Sequence, residues 1–316
     1  MKRKGLFLSV CLILSVCLCG CESKQQSNSY DKQSTSIQNE NIEKLGSITM
    51  DYEKEAAYVK GVVYDNALSE FNGRCVHKIY FDKNANIESA DISSEEMGMT
   101  GNFYSCLQGF PNLEEIIIDS ENTHIFISDN FLMSTDADNK RTGIIGCRLK
   151  FEGEACIPEE TNFIGRAVFN KCKQISSIKI PEKVDSICDA SFANMDSCTE
   201  IAVDKNNKNF KSVDGVLYTK DGKDLIAYPA GKNQKIFKVP ENVERIMPGA
   251  FMGAVNLEKV ILPSKCKIIF YKAFADCKKL KTVVKAGSNK VKGVAKNAYD
   301  GCKKLENKPK RNNGDV

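Results

Sequence analysis

Chemistry needs groups that converge, and this chain of 316 residues offers few of them. Its two histidines, His77 and His124, leave almost no material for a histidine-built zinc site or a Ser-His-Asp relay. Glu95-Glu96 and Glu159-Glu160 are adjacent carboxylates, and neighbours on a strand point to opposite faces and make poor acid–base pairs. Asp136, Asp138 and Asn139 alternate as in a calcium loop but lack the Gly and the closing Glu of an EF-hand, so they read as solvated loop. Gly61, Gly143 and Gly146 form no phosphate-cradling pattern. No catalytic residue, metal ligand or bound cofactor is expected. Of the fourteen cysteines, Cys11, Cys17, Cys19 and Cys21 cluster near the start and ten lie between Cys75 and Cys302. An even number outside the cytoplasm invites disulfides. The absence of a CxxC pair among the ten, and the positions described next, favour small buried thiols.

The elements that would position any site come from an internal repeat. Ile164, Ala167, Phe169, Ile175, Ile178 and Ile180 recur at an offset of 23 as Ile187, Ala190, Phe192, Cys198, Ile201 and Val203. Ile246, Phe251, Leu257, Val260 and Leu262 recur at the same offset as Ile269, Phe274, Leu280, Val283 and Lys285. A further copy holds Val294, Tyr299, Cys302 and Leu305, and an earlier one Leu107, Phe110, Leu113, Ile116 and Ile118. The I-x-I step has the two-residue period of a strand with one buried face. Pro181, Pro240 and Pro263 follow it directly and end the strand, because proline has no N–H for a ladder. The A-F-x-x-C-x-x-L part has three-residue spacing and predicts a short helical or 3₁₀ turn on the opposite side. One such unit cannot bury its own Ile, Phe and Leu, whereas stacked units can, so the predicted fold is an α/β solenoid. Phe169, Phe192, Phe251 and Phe274 should then stack, and Cys172, Cys277 and Cys302 share one packed position that Met195 and Ala254 fill elsewhere. Between Asp204 and Tyr228 the period breaks, and Val216-Leu217-Tyr218 and Leu225 to Tyr228 flank Lys220-Asp221-Gly222-Lys223 as a hairpin. A weaker echo runs from Ile125 to Cys147.

Ile164-Gly165 through Ala167 and Phe169, then Cys172, Ile175, Ile178, Ile180, Pro181 and Val184, resemble the BspA-like leucine-rich repeat family of bacterial surfaces and some protists. Ser212 to Tyr218 and Tyr228-Pro229-Ala230-Gly231 match a segment typical of that family. The resemblance implies a curved leucine-rich repeat stack, here with hairpin inserts, without chemistry of its own, in surface binding or adhesion; it transfers no fixed ligand residues. Met195 and Ala254 at the repeat cysteine, Cys266 at the repeat Val and Lys285 at the last strand position depart from the pattern. The expected organisation is a signal peptide over 1–20, a lipid-anchored tether over 21–48 and a divergent cap over 49–106, built around Val62-Val63-Tyr64 and Ile79-Tyr80-Phe81. The repeat domain follows over 107–307, with a polar tail over 308–316.

Charge is distributed unevenly along this array. Residues 264–316 carry fifteen Lys and Arg against four Asp and Glu, whereas residues 51–163 carry nine against twenty-one. A solenoid keeps sequence order in space, so the two blocks should occupy opposite ends. Lys278, Lys279, Lys281, Lys285, Lys290, Lys292 and Lys296 are the candidate sites for a polyanion: wall polymer, sulfated host glycan or the membrane surface. Nucleic acid is not an expected target outside the cytoplasm. A host extracellular protein is the other expected kind of ligand, and a structural envelope role without a dedicated ligand is the alternative.

One covalent site is legible at the start. Lys2, Arg3 and Lys4 precede an uncharged run to Cys21, apolar through Gly20, and polar sequence begins at Glu22. The run has the length of a signal h-region and is short for a membrane-spanning helix. Leu18-Cys19-Gly20-Cys21 resembles the bacterial lipobox, which implies acylation of Cys21 and anchoring in the cell envelope. The mature protein is therefore expected to fractionate with membranes, and Cys21→Ser to be released or left unprocessed. Mass spectrometry of the mature N-terminus checks this, and a soluble wild-type protein without lipid would contradict it.

Overall fold

The computed structural model describes residues 46–64, 67–68, 71–88, 106–135, 141–287 and 290–311. The signal, Cys21, most of the tether, Glu95-Glu96, the Asp136-to-Asn139 stretch and the end of the tail lie outside the described residues.

Each I-x-I segment forms a strand that pairs in parallel with its counterpart one unit on. Ile178 faces Ile201 and Val260 faces Val283, each pair one repeat length apart. A second ladder pairs Ile164 with Ile187 and Ile246 with Ile269 at the same spacing. Between the two ladders the apolar side chains close a core: Ile164, Phe169, Ile175, Ile178, Ile201, Phe251, Val260, Leu262, Phe274 and Val283 are all buried. The stacked geometry starts well before the sequence repeat is visible. Ala56–Lys60 pairs in parallel with Lys78–Phe81, and that strand with Glu115–Ile118. Val62–Tyr64 pairs with Asn86–Glu88. Ser47–Asp51 lies antiparallel on Ala56–Lys60.

The third side of each unit differs from the helical turn that its spacing predicts. Cys106–Gly109 is the one 3₁₀ helix among the described residues. Elsewhere the chain crosses this side through paired left-handed residues. Ala167 and Lys171 flank Phe169, Ala190 and Asn194 flank Phe192, Gly249 and Gly253 flank Phe251, and Lys272 and Asp276 flank Phe274, all at positive φ. The physical reason lies in where the amides point. In a helix they would bond within the segment. Here Ala167, Phe169 and Lys171 donate to Asp189, Ser191 and Ala193 of the next turn, at 3.2, 2.9 and 3.4 Å. Gly249, Phe251 and Gly253 do the same to Tyr271, Ala273 and Ala275, at 3.3, 2.7 and 2.9 Å. A left-handed conformation costs an L-residue roughly 1–2 kcal/mol; the cross-turn ladder offsets that cost by satisfying buried donors. At Gly253 a Cβ would sit 2.3 Å from Asn194 Oδ1 and 2.9 Å from its Cα, so any side chain there forces Asn194 to shift.

The expected aromatic stacking is present as two separate runs, Phe169 with Phe192 and Phe251 with Phe274, in two clusters of the core, with two members the spacing did not supply. Phe131 meets Phe169 edge-on at 6.0 Å, and Phe169 stacks on Phe192 at 5.5 Å. Tyr228 stacks on Phe251 at 5.2 Å, Phe251 on Phe274 at 4.7 Å, and Phe274 on Tyr299 at 5.4 Å. Tyr228 arrives with the predicted hairpin, in which Val216–Thr219 and Asp224–Ala227 pair antiparallel. A third strand, Phe210–Val213, joins it across the tight turn Asp214-Gly215, both residues at positive φ. The earlier insert repeats the arrangement as Ile125–Ser128, Phe131–Thr135 and Thr142–Cys147.

Both inserts are fastened by the same device. The Asn207 side chain donates to Pro181 O and Val184 O, each at 2.9 Å, and accepts from the amides of Asn209 and Phe210. Asn122 donates to Asp82 O and Ala85 O and accepts from His124 and Ile125. Each Asn thus replaces a missing stretch of backbone ladder, and Asn207 is fully buried with its donors and acceptors engaged.

Cys147, Cys156, Cys172, Cys198, Cys266, Cys277 and Cys302 are free thiols. Cys172 and Cys277 are buried and Cys302 half-buried. The Cys277 and Cys302 thiols point at the carbonyls of Phe251 and Phe274 in the preceding turns, at 3.0 and 2.9 Å. A small, weakly donating side chain fits there better than a purely apolar one. Cys277 contacts Cys302, as neighbouring units allow; Cys147 contacts Cys172 in the same way. Burial pushes the Cys277 thiol well up, that of Cys198 up to about 12 and that of Cys266 to about 11.

Phe192→Ala should cost about 3–5 kcal/mol, the range for a large buried aromatic, and should loosen both adjoining turns. Chemical denaturation with hydrogen exchange measures this; a shift no larger than that of a surface substitution would contradict the stacking. The thiols supply a second expectation. Exposed Cys156 should react at once with a disulfide reagent, and Cys172, Cys198 and Cys277 only after unfolding. Because burial raises the folded-state pKa values of Cys198 and Cys266 above that of an ordinary thiol, unfolded thiols ionise first. Stability from this source is intact below about pH 9 and declines above it. Thiol counting and melting curves across that interval test both statements, and a native disulfide joining the repeat cysteines would refute the first.

Candidate functional site

The residues with most chemical potential do not converge. His77 is partly exposed between Glu55 and Glu114, at 3.8 and 3.3 Å, and His124 is exposed on an insert. Glu159 and Glu160 are exposed. Among the described residues no three His, Cys, Asp or Glu side chains lie close enough to hold a metal ion. The buried carboxylate Asp224 is held by Arg245 through two hydrogen bonds of 2.5 and 2.6 Å, an ion pair that fixes one strand of the second insert to the next turn.

Charge on the outer face of the strands is largely self-compensating. Stacking puts equivalent positions side by side and near-equivalent ones on the diagonal, and opposite signs meet: Lys78 with Glu115 at 2.8 Å, Glu258 with Lys281 at 2.8 Å and with Lys235 at 3.7 Å, and, diagonally, Glu154 with Lys179 at 3.0 Å. Glu258 raises the Lys281 pKa chiefly through that hydrogen bond, and Lys281 in turn lowers the pKa of Glu258. Exposed pairs of this kind add roughly 0–1 kcal/mol each, so their main effect is to cancel the local field.

The seven lysines singled out in the sequence are therefore dispersed by the fold. Lys281 belongs to the compensated strand face. Lys285 donates to the carbonyl of Lys290 at 3.0 Å. Lys290, Lys292 and Lys296 are exposed beyond the last full strand pair. Lys278 and Lys279 lie on the turn side, where they meet two lysines that sequence reasoning did not single out. A groove of about 470 Å³ has Lys171 and Lys173 at one rim and Lys278 and Lys279 at the other. Its floor is Asn194, Gly253 and Val255, with Asp196 and Asp276 on the walls. The left-handed residues Lys171, Asn194, Gly253 and Asp276 occupy one row in four consecutive turns. Lys173 pairs with Asp196 at 3.0 Å and Lys279 donates to Asn256 at 3.2 Å. Lys171 and Lys278 have no ion-pair partner among the described residues and are exposed. Four ammonium groups against two carboxylates leave the groove net positive even with Lys173 paired to Asp196 of the neighbouring turn. The arrangement can hold anionic groups by Coulomb attraction and ammonium hydrogen bonds. It has no nucleophile–base pair.

A family model described as the BspA type leucine-rich repeat region matches six copies in this chain, over residues 152–213 and 228–313. No curated protein matches the chain. Solved structures similar to it include a leucine-rich repeat protein from Eubacterium ventriosum, at 19% identity over 84% of this chain and 76% of that one, with a TM-score of 0.46. The pneumococcal vaccine antigen PcpA is 18% identical over 87% of this chain and 81% of its own, with a TM-score of 0.44. A leucine-rich cell surface protein from Faecalibacterium prausnitzii is 16% identical over 83% and 86%, with a TM-score of 0.40. The six matched copies coincide with the parallel register that pairs each turn with the next, and the chain belongs to the BspA-type leucine-rich repeat family.

Proposed function

We propose that this protein is a non-enzymatic binding module of the bacterial cell envelope, held to the membrane by lipid on Cys21. Its ligand is a macromolecule outside the cytoplasm, and its chemistry favours an anionic polysaccharide, either a sulfated glycan or a phosphate-bearing wall polymer. The supporting observation is the net-positive lysine groove on the turn side, four ammonium groups against two carboxylates, against a strand face whose charges pair with one another. A stack of turns presents a long shallow surface, which suits a polymer better than a small substrate. The repeat architecture fits such a role, since its turns offer surface and no chemistry of their own.

Attraction of this kind falls steeply with salt, because the screening length is about 8 Å at physiological ionic strength. The mature chain in non-ionic detergent should bind immobilised heparin or anionic wall polymer at low salt and more weakly at physiological salt. It should ignore a neutral polysaccharide. Equal binding to neutral and charged polymers would remove the electrostatic reading. Failure to bind any polymer, with capture of a host extracellular protein, would move the ligand to that class. Failure on every arm would favour a structural role in the envelope.

A further inference from the structure

The geometry points to a two-point anion site that bridges the turn-side groove. Lys171 with Lys173 and Lys278 with Lys279 take two separate anionic groups of one polymer chain lying across Gly253 and Val255. This rests on the polyanion reading above and specifies where, and in what form, the ligand is recognised.

Spacing is the first ground. Backbone hydrogen bonds link the rows turn by turn: Lys171 N to Ala193 O, Asn194 N to Met252 O, and Gly253 N to Ala275 O. The rims are therefore three steps apart, about 14 Å at the usual strand separation. A chain with several sulfate or phosphate groups can set one beside each rim at the same time, and a single such group cannot occupy both places. The shape of the floor is the second ground. Gly253 is buried and has no side chain, a Cβ there would strike Asn194, and the neighbouring Val255 is short and uncharged. The middle of the groove is thus a saddle without a positive charge, between two rims that have two each. Charge is the third ground. Asp196 sits one turn inside the first rim and Asp276 in the same turn as the second, and only Asp196 forms an ion pair with a rim lysine. Isolated small anions are disfavoured near those carboxylates, while a polymer gains from both rims at once, the second contact being effectively intramolecular.

The site differs from the basic block of the sequence. Lys171 and Lys173 lie outside that block, and five of its seven lysines lie outside the groove.

The test is binding of the full mature chain in non-ionic detergent to heparin and to sulfated oligosaccharides of two and of six sugars at low salt. Lys171→Gln/Lys173→Gln and Lys278→Gln/Lys279→Gln should each weaken heparin and the six-sugar probe by about tenfold or more. Lys290→Gln/Lys292→Gln/Lys296→Gln should change them less than about twofold. The two-sugar probe should bind weakly and lose little with either rim. Val255→Glu, which adds a carboxylate to the floor without touching a lysine, should also abolish six-sugar binding while leaving the melting temperature near wild type. Three results would overturn the proposal: equal loss from the triple variant, loss from one rim only, or equal affinity for the two probe lengths. Should wild type bind none of the charged probes, the polyanion reading itself fails. Binding that survives both rim variants sinks only the groove.

Discussion

No turn of this chain is complete without its neighbour. The constraint is most severe for the backbone of the turn side, where Ala167, Phe169 and Lys171 point their amides at carbonyls of the following turn. A unit that kept those amides for itself would form a helix and would lose the flat row on which the next unit lies. The chain instead accepts two left-handed residues per turn. It gains a third inter-turn ladder beside the two strand ladders, so the core column from Phe169 to Phe192, and from Tyr228 to Tyr299, is bracketed by hydrogen bonds on all its sides. Local preference is overruled by the obligation to satisfy buried backbone.

That conflict explains which parts of the fold are legible in sequence. Strand positions are, because I-x-I followed by proline has one reading, and the hairpin around Lys220 to Lys223 is, because turn residues separate two apolar runs. The three-residue spacing of Phe169, Cys172 and Ile175 is ambiguous between a helix and a chain of turns, and propensity alone chooses wrongly. A clue is present: Gly249, Gly253, Gly301, Asn194 and Asp276 occupy the flanking positions, and these residue types tolerate positive φ. The fastening of the inserts is similarly available. Asp119 and Asn122 recur as Asp204 and Asn207 at a constant offset of 85, and Asp129 and Asp214 open the tips of both hairpins. The earliest turns are not legible, because Ala57, Val59, Ile79 and Phe81 keep the burial of the repeat but none of its spelling.

The site is legible only in part, for a different reason. Counting charge along the chain finds the basic end, but a solenoid sorts charge by face before it sorts it by end. Lys278 and Lys281 are close in sequence and on different sides of the turn; Lys281 is neutralised by Glu258 and Lys278 opens onto solvent. The constant length of the unit is what permits this sorting, since opposite charges at one position in successive turns meet automatically, as in Glu258 with Lys281. On the turn side Lys173 pairs with Asp196, while Lys171 and Lys278 stay without an ion-pair partner among the described residues, with Asn194, Gly253 and Val255 between them in the intervening turns.

The second insert has a part in this that its own residues do not reveal. Between Asn194 and Gly253 the chain runs for well over twice the repeat length, yet the two are in adjacent rows, with Asn194 N bonded to Met252 O at 3.1 Å. The extra strands of the insert enlarge the sheet side, and Tyr228 supplies the core with its aromatic ring. They add nothing to this row of the turn side. Val255 N reaches Ala230 O, and Gly231 N reaches Cys198 O, so Ala230-Gly231 bridges the two turns just past this row, while the bond from Asn194 N to Met252 O keeps the row itself continuous. Had the insert been a full turn, a further residue would separate Lys171 from Lys278 and the rims would be about 5 Å further apart. An interruption of the repeat in sequence thus becomes, on this face, what sets the width of the groove.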